Sequence, residues 1–162
     1  ATGMKQAGEM NTRTARRQIP RNTVKEFVES GGKYLGICLG AYWAGKHYFN
    51  LLKDADAVQY IRRPGTDTKR PHPKALEIEW MGQQERMYFY DGCAFVGSNL
   101  NVIARYKNND PMAVVQNNLG LIGCHPESQE YWYNTSYLKP HWHHGSHYKL
   151  LDNFVSLIGS TL

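Results

Sequence analysis

The stretch Lys33–Gly45, KYLGICLGAYWAG, limits what this chain can become. A short run of apolar and small residues, KYLGIC (33–38), reads as a buried strand. A helix-compatible segment, LGAYWAGKHYFNLL (39–52), follows with no room for a loop. A strand running straight into a helix packed on its sheet defines an α/β layer. The residue at such a turn stands above the sheet edge, as in the nucleophile elbow G-x-[SC]-x-G. Gly36 and Gly40 flank the turn because side chains there would collide with the neighbouring strand and helix. Cys38 would then sit on the turn with Sγ exposed. The next helix would aim its N-terminus at the sulfur, which favours thiolate. The Leu39 N–H would point at a developing oxyanion.

A thiol nucleophile needs a base, and the base needs an orienting group. GLIGCHPES (120–128) supplies both at the end of another expected strand. His125 can take the proton from Cys38. Glu127, two residues on, can hold the imidazole, and Pro126 stiffens the link. Cys38, His125 and Glu127 are therefore the candidate catalytic set. Taken singly, each has a plainer reading: a buried cysteine beside packing glycines, a histidine at a strand end, a glutamate opening a helix.

The remaining cysteines fit no other scheme. Cys93 and Cys124 make an odd total of three with Cys38, and no CxxC occurs. Neither a disulfide framework nor a zinc ribbon is expected. Cys124 should face the core, because adjacent strand residues point to opposite faces. Cys93, in YDGCAFV, reads as buried on a strand.

The 162 residues fit one domain, and 41% hydrophobic content can fill a core. No apolar run is long enough to span a membrane, and the polar start is not a signal peptide. A cytoplasmic location is the default reading, with no membrane partner. The net charge of +5 admits a nucleic-acid partner. The basic residues (Arg13, Arg16, Arg17, Arg21, Arg62, Arg63, Lys69, Arg70) are scattered, with no accompanying nucleic-acid motif. A solvated surface explains them better.

Along the chain, 1–21 reads as an irregular lead-in. NTVKEFVESGG (22–32) reads as a helix, with Gly31 at its C-terminal cap. Strands are expected at 57–63, 75–81, 86–92, 101–107, 112–117 and 119–124. Turns are expected at 81–85, 108–111 and 117–120, and a proline-rich loop at 62–73. HGSHYKLLDNFVSLIGS (144–160) reads as a C-terminal helix.

YLGICLGAYWAG, YDGCAFV, ARY…PMAV and GLIGCHPE together resemble the class I glutamine amidotransferase superfamily, over about residues 22–160. Within it, Gly32, Tyr34, Ala41 and Tyr42 are similar to the domain at the N-terminus of some biotin–protein ligases and its bacterial stand-alone relatives. The resemblance implies a flavodoxin-like three-layer sandwich, with Cys38 as nucleophile, His125 as base and Glu127 as orienter. It implies hydrolysis of an amide through a cysteine thioester, without a cofactor. The substrate would be a small molecule or amide.

Two departures shape the expectation. The superfamily usually places Gln two residues after the second elbow glycine, where it helps hold substrate glutamine. Tyr42 stands there, leaving another amide, ester or thioester open. The superfamily also places about three strands before the elbow strand, and no strand-like run precedes KYLGIC here. A missing N-terminal half or a second chain would then complete the sheet. Both features also fit a catalytically silent binding or regulatory domain.

PHWHHGSH (140–147) carries His141, His143, His144 and His147. A zinc, copper or nickel site is one reading. A polar loop leading into the last helix fits better, because no carboxylate or cysteine lies beside them at ligand spacing. No metal site is therefore assigned. His143 or His144 can line the mouth of the site, and Asp91 and Tyr42 can reach a substrate pocket. The cluster Tyr88, Tyr90, Tyr131, Trp132 and Tyr133 reads as core and pocket wall.

Overall fold

A computed structural model describes residues 21–160. The lead-in expected over 1–21 lies outside them, except for Arg21. Among the described residues there are three α-helices: α1 (Arg21–Glu29), α2 (Leu39–Trp43) and α3 (Ser146–Leu157). The strands are β1 (Tyr34–Ile37), β2 (Ala55–Gln59), β3 (Lys74–Trp80), β4 (Gln83–Phe89), β5 (Cys93–Gly97), β6 (Asn101–Tyr106), β7 (Pro111–Gln116) and β8 (Leu119–Ile122).

Six strands form the main sheet in the order β1-β8-β7-β6-β3-β4, and β2 pairs with β5 in a separate antiparallel ribbon. Among the described residues, only β1 and β8 are parallel neighbours. The other main-sheet pairs are antiparallel, which suits their short connections. β3 and β4 meet at Met81–Gly82, where both residues have positive φ, the geometry of a two-residue hairpin turn.

The core has a layer on each side of this sheet. On one face, Phe154 and Ile158 from the α3 segment pack with Ile78, Trp80, Met112 and Ile122. On the other, Ala41 and Trp43 of α2 pack with Phe49, Leu51, Leu52, Phe95, Val114 and Leu121, and Val24 and Val28 of α1 cover the edge. β8 is buried along its whole length. It reads as nearly unbroken apolar sequence because both faces are covered.

Two expectations need correction. The helix expected over 39–52 stops at Trp43, because the chain turns at Gly45 and loops back so that Phe49 and Leu51 bond to Trp43 O and Ala44 O. Its apolar stripe reflects core-filling loop residues. The strand expected over 57–63 spans Ala55–Gln59, and Tyr60–Arg62 form a 3-10 turn. There the Tyr60 ring leaves the ladder to stack on Tyr106, with centroids 3.7 Å apart.

Several basic residues are tied down locally. Arg63 pairs with Asp110 and Arg86 with Glu77, while Arg105 donates to Asn109 O. Among the described residues, no helix is long and apolar enough to cross a membrane.

Candidate active site

β1 and β8 run in parallel and end side by side. The segments carrying Cys38 and His125 leave the sheet from these neighbouring C-terminal ends. Cys38 N bonds to Ile122 O at 2.7 Å, so the pairing holds up to the turn. The backbone of Cys38 then takes φ 54° and ψ −101°, a sparsely populated conformation for a residue with a Cβ. Such strain persists only where the surroundings enforce it, and here they do. A Cβ on Gly36 would lie 2.4 Å from Gly40 O, so strand and helix touch backbone to backbone. Tyr34 Oη donates to the same carbonyl at 2.6 Å from a buried position.

The His125 imidazole is fixed by Glu127, with Nδ1 2.8 Å from Oε2. Nε2 is the ring nitrogen not engaged by Glu127. Burial by itself lowers the basicity of His125. Cys38 nearby and the bonded, negatively charged Glu127 outweigh burial and raise its pKa to about 10. Glu127 Oε1 is buried with no hydrogen-bond partner among the described residues.

A third segment completes the site. Cys38 Sγ lies 3.4 Å from Tyr90 O, and His125 N donates to Tyr88 O at 2.8 Å. The Tyr88–Cys93 turn therefore touches both members of the pair. Two glycines allow this. A Cβ on Gly92 would sit 2.0 Å from Gly123 O, and one on Gly123 would sit 2.1 Å from Cys93 O. The Tyr42 hydroxyl donates to Asp91 O at 3.0 Å, tying α2 to the same turn. Burial, with nearby Cys93, Asp91 and Cys38 adding to it, pushes the Tyr42 phenol far up. The Asp91 carboxylate accepts from Gln59 Nε2 at 2.8 Å, with backbone φ at 48°.

The N–H groups of Leu39 and Gly40 open α2, where position leaves them without an intrahelical acceptor. α2 has only five residues, so its dipole adds little at the sulfur.

Other predicted positions lie elsewhere. His143 is two aromatic rings behind His125: its ring lies against Tyr133, which meets Tyr88, which meets His125. It bonds Ser128 O through Nε2 at 2.9 Å, while Nδ1 accepts from Gly145 N and His147 N at the start of α3. It serves as a helix cap, a role hidden in the sequence because its partners are backbone atoms. His144 is exposed with φ 54°, and its ring lies near Trp142. His147 stacks on His143 and bonds Glu85 at 3.0 Å. Among the described residues, no group of three or more His, Cys, Asp or Glu side chains is placed to hold a metal. Cys93 and Cys124 are fully buried, and burial raises both thiols well above their ordinary value.

Sequence reasoning missed the Tyr90 carbonyl and named Trp132 only as core or pocket wall, without its edge-on contact with His125 at 5.3 Å between centroids. The carbonyl carries no sequence signal. The ring's position depends on the 3-10 turn Glu130–Tyr133.

Comparison with known proteins bears on the fold. Residues 11–63 match the family described as biotin-protein ligase, N terminal. No curated protein matches the chain. Among solved structures, a glutamine amidotransferase is similar at 22% identity and TM-score 0.56, over 71% of this chain and 64% of that one. A putative GMP synthase protein from Thermoplasma acidophilum is 14% identical with TM-score 0.52, over 86% and 64%. A glutamine amidotransferase from Thermotoga maritima is 12% identical with TM-score 0.51, over 94% and 66%. The chain thus spans 64 to 66% of the length of these structures. It has the glutamine amidotransferase-like fold and, across the segment that contains its elbow, resembles the N-terminal region of biotin–protein ligases.

Proposed function

We propose that this domain is a cysteine-dependent C–N hydrolase, or a close variant acting on an ester or thioester. What supports this reading is the strained Cys38 turn at the end of β1, beside the end of β8 from which His125, held by Glu127, leaves the sheet. Cys38 Sγ attacks the substrate carbonyl while the proton of the Cys38–His125 pair stays on His125 Nε2. The Leu39 and Gly40 N–H groups face the oxyanion that forms. As the tetrahedral adduct collapses, the C–N bond breaks and His125 returns the proton to the leaving amine. Water, deprotonated by His125, then attacks the thioester. The acid leaves and the thiol is restored. Glu127 stabilises the imidazolium formed in each half-reaction.

Tyr42 supports a second reading, a silent binding domain. Its hydroxyl is occupied by Asp91 O and is not presented to a substrate amide. We also propose that a strand from outside the described residues, or from another chain, pairs with the edge of β1 away from β8. Within the described residues β8 is the only partner of β1, and an unpaired edge is a template for strand addition.

Iodoacetamide labelling followed by intact mass separates the readings. An enzyme gives one fast adduct at pH 7, absent in Cys38→Ser. The adduct forms roughly 100-fold more slowly in His125→Ala, the scale on which loss of a positioned proton-transfer group slows a reaction. Labelling at the rate of free glutathione in the native protein would select the silent domain.

A further inference from the structure

The site is rimmed by rings that the chemistry above does not use. Trp132 packs edge-on against both His125 and Tyr88, with centroids 5.3 and 5.2 Å away. Tyr131 packs on Trp132 at 6.3 Å and is 71% exposed. On another segment, Tyr90 places its carbonyl on Cys38 and leaves its side chain 53% exposed. An aromatic path thus leads from His125 outward to solvent. Beyond it, Tyr131, Tyr133 and Trp142 wall a cleft of about 520 Å³, with Lys139 at its margin.

The exposed Tyr131 ring adjoins Trp132 and so extends an aromatic surface that begins at His125. Apolar surface left open beside a reactive group is paid for in solubility, and such surface usually marks a binding function. Aromatic walls favour flat apolar ligand groups through burial and through offset or edge-on ring contacts. A short polar amide such as a glutamine side chain would gain little from them.

Building on the hydrolase reading above, we propose that the Cys38 site takes carbonyl compounds bearing a planar aromatic group. That group lies on Tyr131 and Trp132 and points toward the cleft. Tyr131 is the specificity-determining residue, and Trp132 also positions His125.

The test compares alkylation of Cys38 by N-benzyl chloroacetamide and N-methyl chloroacetamide, read by intact mass. Glutathione serves as the free-thiol reference and Cys38→Ser as the labelling control. The native protein should prefer the benzyl probe by about tenfold more than glutathione does, the effect of one good ring contact. Tyr131→Ala should bring that preference to within about twofold of glutathione, and Tyr131→Phe should retain it. A native preference equal to that of glutathione overturns the proposal, as does an unchanged preference in a folded Tyr131→Ala. The hydrolase reading fails separately, if neither probe reacts faster with Cys38 than with glutathione.

Discussion

The two ends of the β1–β8 pair differ in what they store. At the C-terminal end, Cys38 is held at positive φ, two glycines allow carbonyls to touch loop backbone, and Glu127 keeps one buried oxygen unpartnered among the described residues. At the N-terminal end lies a cleft of about 310 Å³ bordered by Lys25, Lys53 and Gln116. There no buried polar side-chain atom of the lining lacks a partner among the described residues. Gln116 accepts from Lys53 N and donates to Lys53 O and Asn99 O, and Asn118 donates to Val28 O. Both ends are concave. The difference lies in strain and unmet hydrogen-bonding capacity, which natural folds tolerate mainly where they serve a function. Space alone does not distinguish a site from a surface hollow.

The sharpest way to break this comparison is to add one methyl group at each end. Gly123→Ala should cost about 3 kcal/mol or more, since the new Cβ meets backbone that has nowhere to move. Gly31→Ala, at φ 108° with open space around it, should cost only about 1–2 kcal/mol. Urea unfolding of both variants measures the difference. Equal losses would mean that the reactive end is no more tightly constrained than the other.

A smaller effect is expected from Glu127→Gln, which removes charge without changing size. Its side chain holds His125 at 2.8 Å and helps raise the histidine pKa. In a Cys38→Ser background the ring should titrate above the ordinary value near 6.5, and the Gln variant should bring it down. The raised pKa makes this contribution to stability complete below about 6.5, and it is lost as pH rises through the folded value near 10. The Gln variant should therefore show a flatter stability profile between pH 7 and 10. NMR titration of the ring and urea unfolding across that range are the measurements.

The smallest expected effect lies two aromatic rings behind His125. His143→Ala removes the acceptor for two N–H groups at the start of α3, which should cost about 1 kcal/mol. Burial lowers the pKa of both His143 and His147, although Glu85 partly offsets this at His147. Their contribution is complete above about 6.5 and is lost as pH falls through that value toward the lower folded pKa. The native protein should lose thermal stability in that window, and His143→Ala should lose less. An identical acid profile for the two would remove His143 as the sensitive group.

Much of the site was legible because its signals are local. Gly36, Cys38 and Gly40 answer to one turn, and His125 and Glu127 lie two residues apart on one loop. The strands expected at 75–81, 86–92, 101–107, 112–117 and 119–124 lie within a few residues of β3, β4, β6, β7 and β8, whereas β5 was not among them. Residues 39–52 were misread because a loop packed into a core and an amphipathic helix bury apolar residues at similar spacing. The same ambiguity hid the end of β2 at Gln59, where Tyr60 turns away to stack on Tyr106.

The sequence alone determined the α/β class, the elbow, and the residue types able to act as nucleophile, base and orienter. Each depends on contacts within a few positions, where backbone sterics and side-chain reach leave few choices. Tertiary structure decided which loops meet. It brought the Tyr90 carbonyl to Cys38, placed Trp132 on His125, and turned His143 from a candidate for the site's mouth into a helix cap. Those outcomes depend on segments up to 52 residues apart in sequence. They follow from packing two layers on one sheet, which no local pattern records.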